Sequence, residues 1–178
     1  MKQEELIVGG GCFWCLEAVF ELLDGVDDVV SGYANGQTLN PDYRAICTGT
    51  TGHAEVIKIV YDSTKISLEM LLDIFFEIHN PTTLNYQGAD KGTQYRSTIL
   101  YTDDTIKTKA IEAKEKAQAN YSDAIVTVIE ELDRFYLAES YHQDYYQHNA
   151  TQGYCMAVIA PKVAKLKANW SDKLGDNL

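Results

Sequence analysis

The chain has 178 residues, a length typical of one compact domain, and it is 46% hydrophobic and 23% charged, as ordinary globular domains are. Its 15 lysines and arginines against 26 aspartates and glutamates give a formal net charge of −11. Nucleic acids and anionic membrane surfaces attract basic proteins, so we expect neither as a partner.

The four cysteines are the most informative part of the composition: Cys12, Cys15, Cys47 and Cys155. They are too few for a disulfide scaffold, and two of them lie three residues apart, a spacing common in redox and metal sites. Residues 1–5 include two acids where a secretory signal carries positive charge, and no apolar run approaches the roughly 20 residues that span a bilayer. We therefore expect a cytoplasmic protein whose thiols stay reduced.

Strands and helices alternate in the first half of the chain. The predicted elements are a strand at 6–8, a glycine turn at 9–11, a helix at 13–23, strands at 26–33 and 55–61, and a helix at 68–79. The last helix ends at Asn80-Pro81, because the residue before a proline avoids the helical region.

The second half continues in the same way after a polar loop that reaches Arg96. The predicted elements are a strand at 97–101, a helix from Asp103 or Asp104 to Asn120, a strand at 124–129 and a terminal helix at 161–174 that Pro161 opens. Adjacent strands allow antiparallel pairing. The pattern therefore favours an α+β two-layer sandwich, with a mixed β-sheet core and flanking helices, over a parallel doubly wound fold.

The segment Gly11-Cys12-Phe13-Trp14-Cys15 has the clearest chemical character. A cysteine at a helix start lies among unpaired backbone N–H groups, which favour the thiolate and should lower its pKa below the free value of about 8.5. Cys12 occupies that position and Cys15 lies one turn further on, so Cys12 is the better candidate nucleophile. Phe13 and Trp14 offer aromatic faces suited to a methyl group on sulfur.

Two other interpretations of this Cys-x-x-Cys pair remain open. It could be half of a zinc site completed by other residues: Cys47, Cys155, His53, His79, His142 or His148. No second closely spaced pair supports that. It could also be a thioredoxin-like redox pair, although that fold normally has more strand before its motif.

The motifs resemble those of the A-type peptide methionine sulfoxide reductases, in the order that this family has them. The matching segments are Gly11-Cys12-Phe13-Trp14, Ser31-Gly32-Tyr33-Ala34, Thr51-Gly52-His53-Ala54-Glu55-Val56, Gln87-Gly88-Ala89-Asp90, Gly92-Thr93-Gln94-Tyr95-Arg96-Ser97, and Phe135-Tyr136 to Tyr141-His142-Gln143-Asp144-Tyr145. The resemblance covers nearly the whole chain and implies one domain over 1–178, with a ferredoxin-like plait at its core.

The resemblance implies reduction of the S epimer of methionine sulfoxide, in proteins or as the free amino acid. Cys12 would attack the sulfoxide sulfur. Glu55 would be the acid that helps the oxygen leave, and burial would keep it protonated. Tyr33 and Tyr95 would be the phenols that hydrogen-bond the oxygen.

Substrate binding is implied for Phe13, Trp14 and Asp90. We expect His53 and His142 to make structural hydrogen bonds, because the reaction has no evident need for an imidazole. No cofactor and no metal are expected.

A second thiol is needed after the first step, since Cys12 would then carry a sulfenic acid. Cys155 matches a resolving position of the family and would lie on a mobile C-terminal segment, 150–178. Cys15 is the alternative, and relay between the two is open. Cys47 is expected to pack structurally. Thioredoxin would reduce the resulting disulfide and is the expected protein partner.

Overall fold

Eight strands and six helices make up the computed structural model, which describes residues 1–176. The strands are β1 Gln3–Gly9, β2 Val26–Ala34, β3 Ala54–Asp62, β4 Tyr86–Gln87, β5 Asp90–Lys91, β6 Thr98–Tyr101, β7 Val128–Glu131 and β8 Phe135–Leu137. The helices are α1 Phe13–Phe20, α2 Tyr43–Cys47, α3 Leu68–Ile78, α4 Asp104–Gln118, α5 Tyr145–Asn149 and α6 Ala160–Asn169.

Six of the strands form one sheet in the order β7-β6-β1-β3-β2-β8. Neighbouring strands run antiparallel, except that β6 and β7 are parallel. β4 and β5 pair separately as a small hairpin within the predicted polar loop. The prediction of an α+β fold with a mixed sheet is confirmed.

The two faces of the sheet differ in how they are covered. Leu6 and Val8 of β1 point into the large core, which also contains buried side chains of α1, α3, α4 and α6. Ile7 points the other way, into a small apolar cluster made by strands and packed against Leu132 and Phe135. This alternation follows from the two-residue period of a strand and gives one layer of helices on one layer of sheet.

Capping residues set the starts of the longer helices. The Asp103 side chain accepts the Ile106 N–H at 2.8 Å, so the predicted cap of α4 is confirmed. The Ser67 hydroxyl does the same for α3 by accepting the Met70 N–H. α3 ends at Ile78, before Asn80-Pro81, as the sequence predicts.

The strand predicted at 124–129 lies further along the chain, at Val128–Glu131. Val126 donates its N–H to the Pro81 carbonyl, and Ile125 donates to the Gln118 side chain, so this part of the chain cannot pair with β6. Regular pairing begins only where Val128 reaches Ser97.

The terminal helix is also shorter than predicted. One π-helical turn, Cys155–Ile159, runs directly into α6, which carries Pro161 in its first turn and ends at Asn169 rather than at 174. Within residues 1–176, no helix is both long enough and apolar enough to cross a membrane.

Candidate active site

Cys12 lies in the turn that joins β1 to α1 and is the N-cap of that helix. Gly11 precedes it at φ 87°, and a β-carbon there would come within 2.8 Å of the Gln87 side chain, so the turn requires glycine. The Gly11 N–H donates to the Tyr95 carbonyl at 3.1 Å. The predicted position of Cys12 at a helix start is confirmed, with the turn that carries Tyr95 beside it.

The electrostatics of Cys12 differ from the prediction. The backbone N–H of Trp14 lowers the pKa of the thiol, as expected at a helix start. Burial has a larger effect and raises that pKa, and the charges of Glu55 and Cys15 raise it further, to well above the usual value. The prediction of a lowered pKa is therefore wrong for the free protein, in which Cys12 is a thiol.

Glu55 lies near the start of β3, opposite Tyr33 on β2. Its side chain is 1% exposed, and its Oε1 accepts the Phe13 N–H at 3.3 Å. Burial raises the pKa of the carboxyl to about 8, and the charge of Asp90 acts in the same direction. Glu55 is therefore mostly protonated at neutral pH, and a buried carboxylic acid of this kind can donate a proton.

Three tyrosine phenols face Glu55, whose charge raises the pKa of each: Tyr33, Tyr43 and Tyr95. Burial is the larger cause in all three. Tyr95 is also close enough to Cys12 and Asp90 for their charges to act on it. Tyr33 is fully buried and donates its hydroxyl proton to Glu139 Oε1 at 2.9 Å.

Tyr43 was missed by the sequence analysis, although its phenol lies near both Glu55 and Tyr95. It is the first residue of α2, whose N-cap Asp42 accepts the Ala45 N–H at 2.8 Å. Asp42 was the available signal, since an aspartate commonly precedes a helix. Glu139 was missed as well, although it lies between the matched Phe135-Tyr136 and Tyr141.

An aromatic wall stands beside the cysteine. Phe13 is fully buried and packs 5.7 Å, centroid to centroid, from Tyr33. Trp14 is half-buried and stacks on Tyr145 at 3.6 Å. The Trp14 indole donates to His142 Nδ1 at 3.0 Å, so His142 carries its proton on Nε2.

The two histidines in the matched segments both make structural hydrogen bonds, as expected. His53 accepts the Gly36 N–H at Nδ1 and donates from Nε2 to the Thr38 carbonyl. His142 is fully buried, and its Nε2 has no hydrogen-bond partner among residues 1–176.

Asp90 connects the small hairpin to the C-terminal part of the chain. The Tyr154 hydroxyl donates to Asp90 Oδ2 at 2.6 Å, and Cys15 Sγ lies 3.9 Å from the same hydroxyl. Tyr154 immediately precedes Cys155, so this network brings the two candidate resolving cysteines to the same side of the site.

All four cysteines are free thiols, but their environments differ. Cys12, Cys15 and Cys155 are buried. The charge of Cys15 raises the pKa of Cys12, and the charge of Cys155 raises that of Cys15, so Cys15 is close enough to both for their charges to interact. Cys47 is exposed at the end of α2, so the expectation that it packs structurally is wrong.

The structure gives no support to the zinc interpretation. In the described part of the chain, the acidic, histidine and cysteine side chains close enough to share a metal ion are Glu17, Glu21 and Asp144. Neither Cys12 nor Cys15 belongs to that group.

Comparisons with known proteins agree with this geometry. The family model of peptide methionine sulfoxide reductases matches residues 4–174. Peptide methionine sulfoxide reductase MsrA 1 of Rhodopirellula baltica is 52% identical over 172 residues, which cover 97% of this chain and 90% of that protein.

Two solved structures of Mxr1 from Saccharomyces cerevisiae are also similar. The reduced form has a TM-score of 0.82 and 40% identity, covering 86% of this chain and 90% of that one. A complex of Mxr1 with Trx2 has a TM-score of 0.59 and 29% identity, covering 81% and 85%. The chain therefore belongs to the peptide methionine sulfoxide reductase family, and it is an oxidoreductase of the A type.

Proposed function

We propose that the chain reduces the S epimer of methionine sulfoxide with Cys12 as the nucleophile. The Cys12 sulfur attacks the sulfoxide sulfur, the oxygen passes to Cys12, and the thiol becomes a sulfenic acid as the sulfoxide becomes a thioether. The observation that carries this assignment is the buried Cys12 at the start of α1, next to a buried Glu55 that is mostly protonated at neutral pH.

Proton delivery to the departing oxygen is assigned to Glu55 and to phenols beside it. Loss of oxygen from a sulfoxide needs an acid, and a protonated carboxyl in a dry site meets that need. Tyr95 supports it because it lies near both Glu55 and Cys12.

The second phenol is either Tyr33, as the resemblance implies, or Tyr43. Tyr33 can reach a substrate oxygen only by giving up its bond to the Glu139 carboxylate. Among residues 1–176 the Tyr43 hydroxyl has no carboxylate acceptor of this kind, and the Cys47 thiol, which raises the pKa of Tyr43, is a weaker acceptor than a carboxylate. We therefore favour Tyr43, and expect Tyr43→Phe to slow methionine formation in a single turnover more than Tyr33→Phe does. A larger effect of Tyr33→Phe would contradict this choice and assign the second phenol to Tyr33.

Phe13 and Trp14, which follow Cys12 in the chain, are assigned to binding the methyl group on the sulfur of the substrate. The wall is held rigid by the stack of Trp14 on Tyr145 and by the indole bond to His142. Asp90 is assigned to binding the backbone of the substrate. In the free protein the Asp90 carboxylate instead accepts a hydrogen bond from the Tyr154 hydroxyl.

The sulfenic acid then condenses with a second thiol to form a disulfide and water. Cys15 and Cys155 are both candidates. Cys15 affects the pKa of Cys12, and its sulfur lies 3.9 Å from the hydroxyl of Tyr154, the residue before Cys155, which favours a relay through Cys15. The segment proposed to be mobile, of which the structure describes residues 150–176, would move when Cys155 takes part. Release of Tyr154 from Asp90 would then be the first step.

Thioredoxin is the proposed reductant of that disulfide. The complex of the similar Mxr1 with Trx2 supports this assignment. A cycle that returns to free thiols needs a reducing pool, which is why we place the protein in the cytoplasm.

We also propose that 1–178 is one domain with a ferredoxin-like plait as its core. The order β1-α1-β2-β3-α3-β6 along the chain and the antiparallel order β6-β1-β3-β2 across the sheet support this topology. β7 and β8 are then additions at its two edges.

The test is peptide mapping after one turnover with a methionine-S-sulfoxide substrate and no reductant. We expect a Cys15–Cys155 disulfide if the relay runs through Cys15, since exchange with Cys155 returns Cys12 to a thiol. A Cys12–Cys155 or a Cys12–Cys15 disulfide would instead identify direct resolution by one of the two. If Cys15 acts as the relay, the Cys155→Ser variant should accumulate a Cys12–Cys15 disulfide. Cys47→Ser is the matched control and should give the same disulfide as the unsubstituted protein. A persistent sulfenic acid in the unsubstituted protein would refute both resolving assignments.

A further inference from the structure

The Glu139 carboxylate accepts three hydrogen bonds, two from tyrosine hydroxyls and one from a tyrosine backbone N–H. Its Oε1 accepts from the Tyr33 hydroxyl at 2.9 Å. Its Oε2 accepts from the Tyr43 backbone N–H at 3.0 Å and from the Tyr141 hydroxyl at 2.8 Å. One side chain therefore connects β2, the start of α2 and the segment that follows β8.

Glu139 is itself held in place by the sheet. β8 pairs with β2, and the next residue, Ala138, donates its N–H to the Ser31 carbonyl at 3.0 Å. The Gln143 side chain accepts the Ser31 N–H and donates to the Ser31 and Ala138 carbonyls. The chain on both sides of Glu139 is thereby fixed to the strand that carries Tyr33.

The charge of Glu139 suits this position. Burial raises its pKa, but the bonds from Tyr141, Tyr43 and Tyr33, together with the backbone N–H of Glu139 itself, outweigh burial and hold the pKa below its usual range. Glu139 is therefore an ionised acceptor at neutral pH. Glu55, which lies opposite Tyr33 on the neighbouring strand, is instead mostly protonated.

We propose that Glu139 is a positioning residue for proton delivery. By binding the backbone of Tyr43, it keeps the Tyr43 phenol near Glu55 and Tyr95. By binding the Tyr33 hydroxyl, it keeps Tyr33 from competing with Tyr43 for the sulfoxide oxygen. This inference rests on the proposed role of Tyr43 as a donor. Glu139 touches neither the substrate nor Cys12 and acts only through the tyrosines that it holds.

The test is Glu139→Gln, which keeps the size of the side chain but replaces one accepting oxygen with an N–H₂ group. The measured quantity is the rate of methionine formation in a single turnover at saturating sulfoxide. We expect Glu139→Gln to slow this rate about tenfold, and Tyr43→Phe to slow it about a hundredfold, near the lower limit for loss of an acid–base group. Glu115→Gln, on the exposed side of α4, is the matched control and should leave the rate unchanged.

A double-mutant cycle separates positioning from general damage to the fold. If Glu139 acts through Tyr43, Glu139→Gln causes little further loss in the Tyr43→Phe background. An equal loss in both backgrounds, or no loss in the unsubstituted one, would overturn the inference. Failure of Tyr43→Phe itself to slow the reaction would instead refute the donor role on which the inference rests, so the two failures are distinguishable.

Discussion

Cys12 and Glu55 form a pair in which the charge on the Glu55 carboxyl affects the pKa of the Cys12 thiol. Glu55 as a carboxylate raises the pKa of the Cys12 thiol, and Glu55 as an acid removes that effect. Since burial raises the pKa of Glu55 to about 8, the acid predominates at neutral pH. The acid form is both the form proposed to donate a proton and the form that is compatible with a Cys12 thiolate.

This pairing predicts the effect of Glu55→Gln on the Cys12 thiol. The substitution removes a negative charge, so we expect the pH midpoint of Cys12 alkylation to move down, while burial keeps it above the ordinary value. The measurement is the pH profile of iodoacetamide reaction, followed in a background with the other three cysteines changed to Ser. Glu115→Gln serves as the exposed control, and an unchanged midpoint in Glu55→Gln would contradict the coupling.

At this scale the sequence predicts the position of Cys12 better than it predicts the protonation state of its thiol. Cys12 at a helix start follows from the glycine turn and the apolar spacing after it. Its raised pKa does not, because that depends on burial by residues far along the chain. Tyr43 was missed for the same reason, since only the packed position of α2 turns its phenol toward Glu55.

At the scale of elements, α1 links Cys12 to the C-terminal part of the chain through Glu17. This side chain is 1% exposed, and its carboxyl oxygens accept the Ser31 hydroxyl at 2.8 Å and the Tyr145 N–H at 3.2 Å. Burial raises its pKa to about 7. Tyr145 in turn stacks on Trp14, so Glu17 helps to set the aromatic wall.

The raised pKa of Glu17 predicts a pH dependence of stability. Because it lies above the ordinary 4.5, the native state binds more protons than the unfolded chain, and Glu17 makes stability fall as pH rises from about 4.5 through about 7. The full contribution is at most about 3.5 kcal/mol, since a tenfold change in proton affinity on folding corresponds to about 1.4 kcal/mol. We expect Glu17→Gln to flatten the melting temperature against pH in this range, and Glu115→Gln not to. A profile for Glu17→Gln that stays as steep as that of the unsubstituted protein would contradict this role.

Elements with a clear period and a cap were predicted well, as α3 and α4 illustrate. The displaced strand β7 was not, because hydrogen bonds to Pro81 and Gln118 decide where pairing with β6 begins. Apolar residues at 124–129 look like strand residues whether or not a partner strand is within reach.

At the scale of the whole molecule, the site depends on contacts between distant parts of the chain. Glu139 binds Tyr33 across 106 residues and Tyr43 across 96. The order of strands in the sheet creates these contacts, and no local pattern in the sequence specifies them. The resemblance to a family could supply candidate active-site residues, but not the bonds that hold them.

The core beneath α1 holds this arrangement together. Leu16 is fully buried in it, whereas Leu84 is 64% exposed in the loop after α3. We expect Leu16→Ala to lower the free energy of unfolding by about 2–5 kcal/mol, since it leaves a cavity, and Leu84→Ala to change it little. Urea unfolding of both variants is the measurement. Equal effects of the two substitutions would mean that α1 is not packed as described.

The most direct measurement of the central claim is the yield of methionine from one turnover without reductant, with and without Cys12. The account predicts one equivalent of methionine per chain for the first oxygen transferred to Cys12, and a second one where a Cys15–Cys155 disulfide has returned Cys12 to a thiol. It predicts none from Cys12→Ser, because the oxygen has no other acceptor. Equal methionine formation by Cys12→Ser would contradict the account.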